Sequence, residues 1–290
     1  MNHVQSTVPP LATVLIEPVV RATLAEDLGR AGDITSDAII PATTQSELYL
    51  VARQAGVLAG LDLARLAFML VDPSIDFESL LQDGARLEPG SRIARIAGPA
   101  RALLTAERTA LNFLCHLSGI ASITATIADR IAPLGCKVTC TRKTTPMLRH
   151  LEKYAVRVGG GSNHRFGLDD AILIKDNHIA IAGSIQTAVE RARAAIGHLV
   201  KIEVEVDTLE QLDQALALGV DVILLDNMDI PTLKEAVRRI NGRAISEASG
   251  GITPDTAAAI AATGVNRLAI GWITHSAPLL DIGLDALNPA

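Results

Sequence analysis

Aromatic side chains are scarce, at 2% of the 290 residues. That scarcity argues against a stacking platform for single-stranded nucleic acid. It also leaves the core to Ala, Leu, Ile and Val, a composition suited to parallel strands under alanine-rich helices. Cysteine is nearly absent. Cys115, Cys136 and Cys140 are an odd number in no paired ligand spacing, which argues against a disulfide framework or a cysteine metal site and leaves reduced, buried thiols. No stretch approaches 18 uninterrupted apolar residues, and Met1 to Pro10 has neither a basic start nor an apolar run. These features predict a soluble, cytoplasmic protein. Excess positive charge is missing too: the net charge is −6, against the basic face that nucleic acid requires. What is present is ordinary for a folded chain, 49% hydrophobic and 20% charged, long enough for one large domain or two smaller ones.

Two textures divide the chain. Up to about residue 110, short segments alternate without a fixed period. Helical spacing runs from Leu11 to Leu28 and from Leu61 to Leu70; strands are expected at Glu47 to Arg53 and Gly56 to Ala59; and a helix over Thr105 to Leu117 has Thr105 as its N-cap. Such a mixture predicts an α+β layer. From Lys137 onward a buried strand and an amphipathic helix repeat. The strands are Lys137 to Thr141, Ala171 to Lys175, Val200 to Val206, Asp221 to Asp226, Arg243 to Ala248 and Val265 to Gly271. The helices between them are Pro146 to Val158, Ser184 to Ile196, Leu209 to Leu218, Pro231 to Ile240 and Pro254 to Ala262. Each strand ends in a polar residue or a glycine: Arg142, Lys175, Glu205, Asp226, Ser249-Gly250-Gly251 and Gly271. In a closed β/α barrel all carboxyl ends share one rim, so these residues would converge. An open doubly wound sheet would draw mainly on the strands beside its switch point. The pattern favours a barrel with fewer than eight strands, behind an N-terminal α+β domain.

The polar residues at those ends divide into cations, acids and glycines. Between Thr141 and Arg165, six cations (Arg142, Lys143, Arg149, Lys153, Arg157 and Arg165) face one acid, Glu152, which suggests a local site for a small anion. Thr141-Arg142-Lys143-Thr144-Thr145 offers a guanidinium fork, a mobile point charge and hydroxyls between a strand and a helix. Three glycines, Gly159 to Gly161, precede His164 and Arg165 and would bring them to the rim, where Lys175 completes a cationic ring. His116 and His178 read equally well as structural histidines. Glu203 and Glu205 lie two apart in one strand, so both side chains face the same way, and Asp226 adds a third acid. Carboxylates inside an aliphatic barrel need cations, hydroxyls or a hydrated Mg²⁺ as company. Ser249-Gly250-Gly251 and Ile270-Gly271 sit in the last two loops, the usual barrel phosphate site. Acids, cations and glycine loops together suit a sugar phosphate carrying pyrophosphate. A lysine at a strand end is also where Schiff-base aldolases carry their nucleophile, which keeps that role open for Lys175.

Several longer stretches match a known family. They are Glu26-Asp27-Leu28-Gly29 with Gly32-Asp33-Ile34-Thr35, Glu107-Arg108-Thr109-Ala110-Leu111-Asn112, Thr141-Arg142-Lys143-Thr144, Asn163-His164-Arg165 and Lys175-Asp176-Asn177-His178. Glu203-Val204-Glu205, Leu225-Asp226-Asn227, Ser249-Gly250-Gly251 and Thr274-His275-Ser276 continue the series in order. On these the chain resembles the quinolinate phosphoribosyltransferases, or nicotinate-nucleotide pyrophosphorylases (decarboxylating), over nearly its whole length. The resemblance implies an N-terminal open-faced α+β sandwich domain over 1–112, with the tail 279–290 packed on it, and an incomplete α/β barrel over 113–278. It implies a homodimer or higher homo-oligomer with shared active sites, in which Arg108 reaches the neighbour's site. It further implies that Arg108, Arg142, His164, Arg165 and Lys175 grip quinolinate, and that Lys143 and Lys175 meet the pyrophosphate of phosphoribosyl pyrophosphate. Glu205 and Asp226 would face the ribose and a Mg²⁺ held through substrate and water, with no direct protein ligand. The 5-phosphate would lie against Ser249, Gly250, Gly251, Ile270, Gly271 and Trp272; the family commonly has a small residue where Trp272 stands. Relatives that serve another ligand, such as those associated with molybdenum transport, share the barrel, but the full cation set argues for dicarboxylate binding.

Overall fold

A computed structural model describes residues 8–286. The chain divides into two units: the first takes residues up to Ile123, Met147–Gly159 and the chain from Ser276 onward, and the second takes Thr124–Pro146 and Gly160–His275. Residues 287–290 of the tail and the first seven residues of the leader lie outside the described residues.

The first unit opens with α1 (Thr13–Leu28) and α2 (Ile34–Ile39), then β1 (Gln45–Ala52), β2 (Gly56–Val57), α3 (Leu61–Val71), β3 (Asp76–Ser79), β4 (Arg86–Leu87) and β5 (Arg92–Pro99). β5 runs directly into α4 (Ala100–Ile131), which crosses the division between the units. Its main sheet has the order β12-β1-β5-β3, where β12 (Ile282–Asp285) is the last strand of the chain. All of its pairings are antiparallel, as expected of an α+β layer covered on one side. Asp83 ties the unit together. Its carboxylate accepts from the backbone N–H groups of Gly60 (2.8 Å) and Leu61 (3.1 Å) and from the Tyr154 hydroxyl (2.8 Å). Burial raises the Asp83 pKa, against the pull of those donors.

α4 corrects the sequence reading. Thr105 lies inside the helix, where its hydroxyl donates to Asp33 Oδ2 (3.1 Å), and the helix continues well past Leu117. Ser118-Gly119 reads as a helix end, but Gly119 is there for close packing. A Cβ at that position would collide with the Pro278 carbonyl oxygen. α4 is also the one described helix long and apolar enough to cross a membrane, and 67% of its most apolar window is buried within the protein.

The second unit is a parallel sheet in the order β6-β11-β10-β9-β8-β7. It contains β6 (Lys137–Thr139), β7 (Ile172–Ile174), β8 (Ile202–Val206), β9 (Val222–Asp226), β10 (Ile245–Ser249) and β11 (Arg267–Ala269). α5 (Arg149–Val158) falls in the first unit; α6 (Asp176–Ala182), α7 (Ile185–Ala195), α8 (Leu209–Ala217), α9 (Ile230–Ile240), α10 (Pro254–Ala261) and the short α11 (Trp272–His275) fall in the second. Alternate strand residues such as Val204, Val206, Ile223, Leu225 and Leu268 are buried, each fully buried side chain of this size contributing about 1.5–3 kcal/mol. Among the described residues no strand pairs with both β6 and β7; Ser162 makes a single parallel bridge to Thr139 on the β6 side. Ser162 N–H donates to the Val138 carbonyl (2.9 Å) and Cys140 N–H to the Ser162 carbonyl (3.3 Å). The barrel is therefore incomplete, with six strands and one bridging segment.

One expectation changes here. Of the cationic run from Arg142 to Arg165, Arg149, Lys153 and Arg157 lie on α5 in the first unit, and Lys153 is wholly buried there beside the equally buried Glu152. The stretch after Lys175 forms α6: the Lys175 N–H donates to His178 Nδ1 (2.9 Å), which makes His178 a structural cap. His116 is also structural, with Nε2 3.0 Å from Glu152 Oε1. Cys136 and Cys140 are buried, Cys115 is partly so, and none of the three is in a disulfide among the described residues. Burial pushes the Cys136 thiol up to about 11 and raises that of Cys115, the opposite of an activated nucleophile.

Candidate active site

A cavity of about 690 Å³ opens at the carboxyl ends of the barrel strands. β6 leads into Thr141, Arg142 and Lys143; the bridging segment supplies His164 and Arg165; and Lys175 follows β7. Glu205 lies near the end of β8, and Asp226 and Ser249 end β9 and β10. Ile270, Gly271 and Trp272 follow β11. Leu173, Leu224 and Ala269 supply its apolar lining. All the sequence-expected site residues except Arg108 line this one cavity. Arg108 is exposed on α4 in the first unit.

Cations and acids line the cavity together. Arg165 anchors one guanidinium nitrogen on the Ala171 carbonyl (3.1 Å). Its pKa is lowered first by burial and next by the charge of Arg142, so the two guanidinium groups repel each other until an anion arrives. Lys175 Nζ is ion-paired to Glu205, and the lysine side chain is 46% exposed. A charged, paired and solvated lysine is a poor Schiff-base nucleophile, which removes the aldolase alternative. Asp226 accepts from the Asn227 side-chain amide (2.6 Å).

The glycine loops are shaped by conformation and crowding together. Gly250 and Gly251 have φ of +100° and +60°, and a Cβ on Gly250 would strike Asn227 Oδ1. A Cβ on Gly271 would come within 2.9 Å of Lys143 Cδ and 3.2 Å of Thr141 Oγ1. Trp272 links the two loops, its indole N–H donating to the Ile252 carbonyl (2.8 Å). The large residue thus braces the cradle instead of filling it.

Family profiles decide the identity. The quinolinate phosphoribosyl transferase N-terminal domain matches residues 33–118 and the C-terminal domain matches 120–285. The chain belongs to the quinolinate phosphoribosyltransferase family. It is 48% identical over 271 residues to the nicotinate-nucleotide pyrophosphorylase of Mycobacterium leprae, covering 92% of this chain and 95% of that one. The probable enzyme of Bacillus subtilis is 44% identical over 285 residues, 98% and 94% of the two chains. Among solved structures, NadC from Streptococcus pyogenes superposes with a TM-score of 0.91 at 44% identity, covering 97% of this chain and 100% of that one. The fold is that of the family, an antiparallel α+β domain with a parallel barrel-like domain.

The sequence reading missed two residues of this quinolinate phosphoribosyltransferase site. Asn227, with φ of +52°, lines the cavity and sets the position of Gly250. Glu247 is 3% exposed inside the barrel, and the sequence did hold a signal for it: it is the one acid in an otherwise uncharged strand and lies two residues before Ser249. His164 also differs from the cationic grip implied by the resemblance. Its Nδ1 accepts from the Arg165 N–H (2.7 Å), and its Nε2 lies 2.7 Å from Glu203 Oε2.

Proposed function

We propose a division of labour among the lining residues for the reaction of this family, the transfer of a phosphoribosyl group from phosphoribosyl pyrophosphate to quinolinate. The reaction yields nicotinate mononucleotide, pyrophosphate and carbon dioxide, a step of NAD biosynthesis. The observation that carries the proposal is that two neighbouring guanidinium groups, Arg142 and Arg165, line one cavity together with Lys175, Glu205 and Asp226. Two adjacent guanidinium forks match two carboxylates on one ring. Arg142 and Arg165 therefore receive the pyridine dicarboxylate, with Lys175 beside them.

Gly250, Gly251 and Gly271 let backbone N–H groups approach the 5-phosphate, with Ser249, Ile270 and Trp272 shaping the cradle. Glu205 and Asp226 face the ribose hydroxyls. They are oxygen donors only and suit a Mg²⁺ held through the pyrophosphate and its own water. Bound there, Mg²⁺ supplies positive charge to the departing pyrophosphate. Lys143, flexible and exposed at the rim, meets the same developing charge. As the anomeric carbon loses pyrophosphate, the quinolinate nitrogen attacks it. The alkylated nitrogen is formally positive and stabilises, as an ylide, the electron pair left on the adjacent ring carbon when its carboxylate departs as carbon dioxide; that carbanion then takes a proton. No protein nucleophile takes part.

Arg108 completes the dicarboxylate grip from a second copy of the chain, in a homodimer with shared sites. Cysteines outside any disulfide suit a reducing, cytoplasmic setting. The deciding experiment supplies quinolinate, phosphoribosyl pyrophosphate and Mg²⁺ and measures carbon dioxide and pyrophosphate. Equal amounts of the two are expected, and pyrophosphate without carbon dioxide would overturn the reading.

A further inference from the structure

Beneath the mouth of the barrel lies a cluster that the proposed mechanism leaves unused. Glu203 on β8 is 6% exposed, Glu247 on β10 is 3% exposed, and both meet His164. His164 Nε2 is 2.7 Å from Glu203 Oε2 and 3.7 Å from Glu247 Oε1. Glu203 Oε1 and Glu247 Oε1 are buried without a hydrogen-bond partner. Arg267 on β11 donates to the Ser162 hydroxyl (3.2 Å) and lends its positive charge to Glu247.

One ligand atom from each of the three residues lies within 4.8 Å of the others, a spacing open to a divalent ion. The imidazole argues against that occupant. A neutral histidine has one ring nitrogen with a free electron pair, and here Nδ1 uses it to accept the Arg165 N–H. The proton therefore sits on Nε2, which donates to Glu203 and has no pair left for a metal.

We propose that Glu203 is a positioning residue for quinolinate binding, acting through the His164 tautomer on Arg165. The chain of contacts is continuous. Glu203 accepts from Nε2–H, which leaves Nδ1 free to accept from the Arg165 backbone, while the Arg165 guanidinium rests on the Ala171 carbonyl. The segment that carries Arg165 has no strand of its own and is stitched to β6 by a single bridge, so the imidazole bond supplies order that the sheet does not. Glu247, its pKa raised by burial and by the Glu203 charge, completes the packing and gives up its proton reluctantly beside Glu203. The inference rests on the role proposed above for Arg165, and its test has one arm that needs no turnover.

Glu203→Leu keeps the volume and removes the acceptor, and Glu203→Gln keeps an acceptor oxygen. With Glu203→Leu, the KM for quinolinate should rise about tenfold or more while the KM for phosphoribosyl pyrophosphate stays within about twofold, since a hydrogen bond to a charged group is worth about 1.5–3 kcal/mol, or about 10- to 100-fold. Glu203→Gln should restore most of the quinolinate affinity. In long-range ¹H–¹⁵N spectra, the His164 ring of the wild-type protein should show a protonated Nε2 and an unprotonated Nδ1. Glu203→Leu should convert that pattern to a mixture. An unchanged tautomer, equal losses for both substrates, or an unaffected quinolinate KM in folded Glu203→Leu would overturn the proposal. An inactive wild-type protein would instead overturn the functional reading, and the spectra would still decide the relay.

Discussion

Glu247→Gln tests how strongly the barrel interior resists a second negative charge. Burial is the largest influence on this carboxyl group, followed by the Glu203 charge from β8; Arg267 on β11 pulls the other way, and the neutral His164 imidazole on the bridging segment faces it at 3.7 Å. The net effect pushes its pKa from the ordinary 4.5 up to about 7. The folded protein then retains a proton that the unfolded chain has released. Stability from this source is complete below pH 4.5 and is lost as pH rises through about 7. The size of the shift corresponds to about 3 kcal/mol. Glutamine mimics the protonated acid and cannot titrate. The variant should therefore gain on the wild type by about 3 kcal/mol between pH 5 and pH 8, on the order of 6–10 °C in Tm. Calorimetry of both proteins at four pH values and one ionic strength measures the difference, with other titrating groups cancelling. Parallel Tm curves across that range would refute the argument, because they would mean that Glu247 titrates alike in the folded and unfolded chains.

Arg165→Ala should raise the KM for quinolinate by about 10- to 100-fold, the loss of one charged bidentate contact, and leave that for phosphoribosyl pyrophosphate nearly unchanged; initial-rate kinetics with each substrate varied would show it. Gly250→Ala should do the reverse, weakening phosphoribosyl pyrophosphate by at least tenfold, because the added methyl collides with Asn227 in a backbone conformation that already disfavours a side chain. Trp272→Phe removes the indole bond to Ile252 and should lower Tm by a few degrees in a thermal melt, about 1 kcal/mol, with a rise in the same KM. Inactive Arg108→Ala and Lys175→Ala subunits, mixed in equal amounts, should recover about a quarter of the wild-type activity if each site draws on both copies.

The barrel was legible because its signal is local. A buried run of about five residues followed by a polar or glycine residue marks a strand that ends at a functional rim, and β8 with Glu205 and β9 with Asp226 follow that rule. What escaped depends on distant neighbours. Ser118-Gly119 resembles a helix stop, yet α4 passes through it because Pro278 packs there, 159 positions along the chain. Lys153 looks like part of an anion site until the fold buries it on α5 in the other unit. His164 was legible as a site residue, but its hydrogen-bonding role was not, since that depends on Glu203 about 40 positions away. Glu247 had a readable parity with Ser249, and only the folded barrel shows that this parity buries it.

The pairing of β12 with β1, from Tyr49↔Asp285 to Ala52↔Ile282, sets an order of events for synthesis. The amino-terminal sheet leaves the ribosome first, yet one of its margins stays bare until β12 has been made. Every barrel strand is translated in the interval. A nascent chain thus carries an unsatisfied β edge while the catalytic half takes shape, and emergence of β12, not of the first domain, completes the amino-terminal sheet.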